Sequence, residues 1–134
     1  MEKKLSLMRQ IYIAKIAYTA KIYYFRHKII NKMHHMVKHI VLFKIKDDIQ
    51  ADDKQVIMTT FRDDILALRN IICCIKDINV GFNINPDEQW DICLDSTFET
   101  LDDVRYYSKH PQHVMAAGKL KPHLCGRSCV DFEI

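Results

Sequence analysis

The sequence predicts an α+β domain over residues 36–134, in which four β-strands and two helical regions follow the order βαββαβ. Three observations support this prediction. Met36–Lys46 alternates apolar and polar positions, which indicates a half-buried strand. Residues 52–68 place apolar side chains three and four positions apart, as an amphipathic helix does. Two further alternating stretches flank a turn that contains Pro86, and they predict a hairpin.

The first strand carries an unexpected residue on its apolar face. His39 is in line with four apolar residues, and every residue in this row should point into a core. The imidazole is therefore either a core group hydrogen-bonded to the backbone or part of a site, and the sequence leaves both open. The complete row is Val37, His39, Val41, Phe43 and Ile45.

The next elements follow in order along the chain. A helix is predicted at about Asp52–Leu68, with acidic residues at its positive N-terminal end. The second strand is predicted at Ile75–Ile84 and the third at Trp90–Phe98. The polar segment Asn85–Glu88 supplies the turn between them.

The last third of the domain repeats the helix and strand pattern. Thr100 is expected to cap a helix that runs to about Lys109. Pro111 ends that helix and suits the first turn of another, where its missing N–H would have no partner. A final strand is predicted at Arg127–Ile134. The complete order is that of the ferredoxin-like fold, a four-stranded antiparallel sheet with helices on one face.

The other face of such a sheet must meet solvent or a partner. In the first strand this face carries Ile40 and Leu42. A second copy stacked sheet on sheet would bury both residues, so we predict a homodimer through the sheet face.

Residues 1–35 form a basic N-terminal extension. They carry eight lysines and arginines against Glu2, whereas residues 36–134 carry the remaining twelve against sixteen acids. A helical arm for a membrane surface or a partner groove is one interpretation. Translation of AT-rich upstream DNA is the other, with Met36 as the true start; residues 36–134 should then fold alone, and their insolubility would contradict this. The stripe that favours a helix is Leu5, Met8, Ile11, Tyr12, Ile16, Thr19 and Tyr23.

Composition and charge indicate which binding partners and which cellular compartment to expect. The mildly acidic domain argues against nucleic acid, since phosphate binding needs a basic surface. Charges interrupt every apolar run of residues 1–35, so no membrane span is expected. Five cysteines without C-x-x-C spacing predict free thiols in a reducing, cytoplasmic environment. No cofactor and no metal is predicted, with Cys125 and Cys129, or His110 and His113, as the less favoured metal ligands.

Five short motifs occur in an order and spacing that one family shares. They are MVKHIVLFKIK, VGFN, DSTFET, YYSKHPQHV and VDFEI, and they span residues 36–134. The chain thereby resembles the stress-responsive A/B barrel (Dabb) family, which implies a ferredoxin-like protomer and a dimeric α/β barrel. In a plant member that is a cofactor-free polyketide cyclase, the catalytic pair matches Tyr107 and His113, and a first-strand histidine matches His39. The chain has Ile92 where that cyclase has a further histidine.

The matched residues suggest a pocket between the sheet and the helices. Histidine accepts a proton at neutral pH, and tyrosine donates a hydrogen bond to a developing enolate. His39, Tyr107 and His113 are therefore candidates for proton abstraction next to a carbonyl. The expected ligand is small and largely apolar with one polar end. Its predicted contacts are Val41, Phe43, Phe61, Ile92 and His110, the last of which alternatively ends a helix.

Three functions stay open at this point. The first is a small-ligand-binding dimer, with or without lyase or cyclase activity. The second is a cofactor-free oxygenase or haem-handling barrel, and the third is a stress-protective oligomer without a site. A cavity that holds His39 and His113 would favour the first, haem retention on purification the second, and a filled core the third.

Overall fold

The computed structural model describes residues 2–33 and 35–134, and the chain divides into two units between His35 and Met36. The first unit is a single helix, α1 (Glu2–Met33). Its described side chains are exposed. The exposed apolar residues include some outside the stripe expected from the sequence, such as Ile13 and Tyr24. No helix in the described ranges is long and apolar enough to cross a membrane.

The second unit contains a four-stranded antiparallel sheet in the order β2-β3-β1-β4. The helices of this unit and the order of its elements confirm the ferredoxin-like prediction. Strand β1 is central and pairs with both β3 and β4. The four strands are β1 (Val37–Ile45), β2 (Asp77–Phe82), β3 (Ile92–Phe98) and β4 (Leu124–Glu133).

The alternation in the sequence of β1 becomes an alternation in burial. All five residues of the apolar row are buried, and the residues between them are half-buried. The buried row faces helices α2 (Ala51–Ala67) and α3 (Leu101–Lys109). Ring contacts join the two layers, with centroids 5.3 Å apart for Phe43 and Phe61 and 5.1 Å apart for Phe98 and Tyr107. The core therefore lies between the sheet and these helices.

Local signals set the helix ends near the buried histidine. Thr100 and Asp103 form a capping box, in which each side chain accepts the backbone N–H of the other residue. Pro111 opens helix α4 (Pro111–Leu120) at its first turn, as predicted. His110, in extended geometry, is the one residue that separates α3 from α4.

Strand β2 is shorter than predicted. It ends at Phe82, and Ile84 is 97% exposed instead of continuing the apolar face. The Asn83 side chain explains the early end, because its amide donates to the carbonyls of Asn85 and Glu88. These hydrogen bonds fold the chain into a turn that a continuing strand would disrupt.

Strands β3 and β4 also start at positions other than those predicted. β3 begins at Ile92 rather than Trp90, while β4 begins at Leu124 rather than Arg127. The early start of β4 comes from pairing with the end of β1, which continues through an irregularity in register. β4 is an edge strand and is largely exposed on both faces.

Candidate functional site

His39 lies on the buried face of β1 and is only 5% exposed. Its Nδ1 is 2.6 Å from Oδ1 of Asp131, the residue directly opposite on β4. A carboxylate can only accept, so Nδ1 carries the proton in the neutral ring and Nε2 has a free lone pair. The structure thus pairs the buried His39 ring with the partly exposed carboxylate of Asp131, rather than with a backbone group.

Asp131 is the residue that the sequence analysis missed. The alternation of β4 places Asp131 on one face with Cys129 and Glu133, but the sequence alone does not give the register of β4 against β1. That register pairs His39 with Asp131 and Val41 with Cys129. Cys129 consequently lies beside the pair, with its Sγ 3.7 Å from Nδ1 of His39. Among the described residues, His39, Cys129 and Asp131 form the group whose ligand atoms lie close enough together to hold a metal ion.

Tyr107 projects from α3 into the core and is fully buried, whereas the neighbouring Tyr106 is 56% exposed. The Tyr107 ring contacts those of Phe98 and His39, at centroid distances of 5.1 and 6.2 Å. Its hydroxyl is the buried side-chain oxygen without a hydrogen-bond partner among the described residues. Burial raises the pKa of this phenol far above its ordinary value, so the hydroxyl keeps its proton.

The third candidate residue, His113, lies on α4. Its ring centroid is 4.4 Å from that of Tyr107, and its Nδ1 is 3.0 Å from the Ser108 carbonyl oxygen. The carbonyl requires Nδ1–H as donor, which again leaves Nε2 as the basic nitrogen. Burial lowers the pKa of His113, and this effect outweighs the Ser108 hydrogen bond, which raises it. His113 is therefore neutral and able to accept a proton at neutral pH.

The three candidate residues thus meet, with Tyr107 between the two histidines. Both histidines are held in the tautomer that leaves Nε2 free, one by a carboxylate and one by a backbone carbonyl. The protonated Tyr107 phenol can donate a hydrogen bond to a small molecule from which Nε2 of His113 accepts a proton.

The other predicted contact residues have different surroundings. Four of them are buried in the core, where Phe43 and Phe61 pack edge to face, and their role as ligand contacts stays a prediction. His110 acts as a cap, since its Nδ1 accepts the backbone N–H of Gln112 at the start of α4. Its role in ligand binding likewise stays a prediction. The four core residues are Val41, Phe43, Phe61 and Ile92.

Comparison with known proteins identifies the family. A model of the stress responsive A/B barrel domain (Dabb) matches residues 37–134, which is most of the chain. The chain belongs to the Dabb family. The match begins one residue after the start of the first motif and ends with the last, so the resemblance found in the sequence is confirmed.

A named relative and several solved structures are similar to the chain in sequence or fold. Olivetolic acid cyclase from Cannabis sativa is 32% identical over 81 residues, which cover 58% of this chain and 76% of that protein. A dimeric protein of unknown function and ferredoxin-like fold from Bacteroides fragilis is 48% identical, with a TM-score of 0.72, covering 74% of this chain and 96% of that one. Hydroxynitrile lyase from Passiflora edulis is 20% identical, with a TM-score of 0.61 and coverage of 75% and 94%, and so shares the fold.

Proposed function

We propose that this Dabb protein binds a small, largely apolar carbonyl compound beside Tyr107 and His113 and moves a proton next to the carbonyl without a cofactor. The observation that carries the proposal is the buried Tyr107 hydroxyl without a partner. An unsatisfied buried hydroxyl destabilises a protein by about 1–3 kcal/mol. A ligand oxygen that accepts from this hydroxyl would recover that free energy, and the aromatic rings around it favour an apolar ligand body.

His113 is the proposed base. Its Nδ1–H is held by Ser108, so Nε2 is available on the ring that packs against Tyr107. The base would take a proton from the carbon next to the carbonyl, while Tyr107 donates to the oxygen on which negative charge develops. The His39–Asp131 pair lies on the other side of Tyr107 and would orient the ligand or supply a second base.

The relatives are compatible with this chemistry. The name of olivetolic acid cyclase describes a reaction in which a ring is closed, and the chain matches that protein at 32% identity. Within this proposal, we infer that the reaction is lyase-like or cyclase-like. The shared fold alone would not support it, because solved structures of unknown function have the same ferredoxin-like architecture.

We also propose that the protein is a homodimer through the outer face of the sheet. Ile40 of β1 pairs with Val130 of β4 on this face, and Phe132 continues the apolar surface. Val130 and Phe132 are 53% and 46% exposed in the single chain, which leaves apolar area for a second copy to cover. The Bacteroides fragilis and Thermobifida fusca relatives are described as dimeric.

Deuterium exchange of a medium-chain methyl ketone tests the proposed chemistry. The full chain is expected to accelerate exchange next to the carbonyl in D₂O, as followed by proton NMR. Replacing both Tyr107→Phe and His113→Gln should reduce the acceleration by about 100-fold or more, the usual contribution of a general base. His123→Gln replaces a half-buried histidine outside the site and should leave the rate unchanged. Equal rates for the double variant and the parent would refute the proposal.

A further inference from the structure

Three side chains of the kinds that bind metal ions lie close together beside the solvent-exposed strand β4. They are His39 on β1 and Cys129 and Asp131 on β4, and one donor atom from each lies within 4.8 Å of the others. Nδ1 of His39 is 2.6 Å from the carboxylate and 3.7 Å from the thiol sulfur. The strand register produces this arrangement, because Asp131 is directly opposite His39 and Cys129 is its diagonal neighbour.

We propose that these three residues bind a divalent transition metal of the zinc class. An imidazole nitrogen, a thiolate and a carboxylate are the ligands that zinc takes in proteins. Zinc bonds of about 2.0 Å to nitrogen and about 2.3 Å to sulfur, at a tetrahedral angle, place those two atoms roughly 3.5 Å apart. The 3.7 Å separation of Nδ1 and Sγ is close to that value.

The carboxylate would have to move slightly. Its oxygen is now hydrogen-bonded to Nδ1 at 2.6 Å, whereas two zinc ligands of this kind lie roughly 3.4 Å apart. The Asp131 side chain is 32% exposed and lies on an edge strand, so a rotation of that size meets little packing. A metal would replace the Nδ1 proton and lie between the same two groups.

Access and charge also suit a cation. Cys129 and Asp131 are both exposed, so an ion reaches them from solvent and retains water in its remaining coordination position. A bound cation between Cys129 and Asp131 removes their mutual repulsion and favours the thiolate.

This inference goes beyond the proposed function and does not depend on it. Metal binding consumes Nδ1 of His39 and breaks its hydrogen bond to Asp131, so the metal-bound and metal-free proteins present different groups at this end of the site. The Tyr107 and His113 contact is separate from the three ligands. Binding is therefore measured without any substrate, and failure of either proposal leaves the other standing.

The test uses the reduced full chain with Co²⁺ and Zn²⁺ as probes. Co²⁺ should produce a thiolate-to-cobalt charge-transfer band, and competition with a chromophoric chelator should give one Zn²⁺ per chain. Cys129→Ser should abolish the band. Cys129→Ser and Asp131→Asn should each weaken zinc binding by at least about tenfold, since loss of an outer-shell partner alone has an effect of that size.

Cys125→Ser is the matched control. Cys125 is also an exposed thiol on β4, but its sulfur contacts the carbonyls of Lys44 and Ile45 and is outside the three-ligand cluster. This variant should retain the cobalt band and the zinc affinity. The proposal is overturned if the parent chain gives no charge-transfer band, if Cys129→Ser keeps it, or if Cys125→Ser loses it. Both Cys129 and Asp131 are exposed, so neither substitution threatens the core.

Discussion

Nδ1 of His39 lies 2.6 Å from a carboxylate oxygen of Asp131, directly across the β1–β4 pair. The two residues differ sharply in exposure, since the histidine is buried and the aspartate lies on an exposed edge strand. The pair therefore connects the aromatic interior around Tyr107 with solvent. It also fixes which nitrogen of the neutral His39 ring carries the proton, and so which one has a lone pair.

Asp131→Asn tests how much the His39–Asp131 pair contributes to the free energy of unfolding. A hydrogen bond to a charged group contributes about 1.5–3 kcal/mol when buried, and the partial exposure of Asp131 reduces this to about 1 kcal/mol. We expect the urea midpoint to fall accordingly at unchanged m-value. Asp95→Asn is the control, because Asp95 accepts from Lys38 at 2.7 Å in a more exposed pair. A smaller effect at Asp131 than at Asp95 would contradict the expectation.

Tyr107→Phe should separate stability from ligand binding. The hydroxyl has no partner among the described residues, so its removal should leave the free energy of unfolding unchanged or raise it by up to about 1 kcal/mol. The same substitution should weaken binding of the carbonyl probe. Tyr107→Ala is the packing control and should destabilise the chain by about 3–5 kcal/mol, as for other buried aromatic residues. Clear destabilisation by Tyr107→Phe would mean that the hydroxyl has a partner.

The pH dependence of stability should report on His113. Burial places its pKa in the folded chain below the ordinary 6.5, so the unfolded chain binds this proton more readily. The contribution of His113 is therefore fully present above 6.5 and is lost as the pH falls from there toward the folded pKa. His113→Gln should lose less stability than the parent between about pH 7.5 and pH 5.5 in thermal unfolding. Identical losses would show that burial does not shift this histidine.

Substitution at the outer sheet face should test the dimer. Val130→Asp places a charge in the apolar surface next to Ile40, where a second copy would have to bury it. Light scattering at micromolar concentration should then report the monomer mass, against twice that mass for the parent. Val114→Asp on α4 is the control, because Val114 has nearly the same exposure, 55% against 53%, away from the sheet. A dimeric Val130→Asp variant would exclude this face.

The local sequence determined most of the secondary structure. Strict alternation in β1 predicted its buried row, Thr100 predicted a capped helix, and Pro111 predicted the start of α4. These features depend on neighbouring residues, because side-chain direction, capping and the missing proline N–H are short-range properties. The family motifs predicted Tyr107 as a site residue; its side chain is buried, and its role in a site stays a prediction.

Only the tertiary structure decided which groups meet. In the sequence, Asp131 and Cys129 are simply residues on one face of the last predicted strand. The register of β4 against β1 places them beside His39. That register depends on pairing between residues about ninety positions apart, which no local pattern encodes. The unpartnered Tyr107 hydroxyl is likewise a property of the packed core, because whether a buried group finds a partner depends on every element around it.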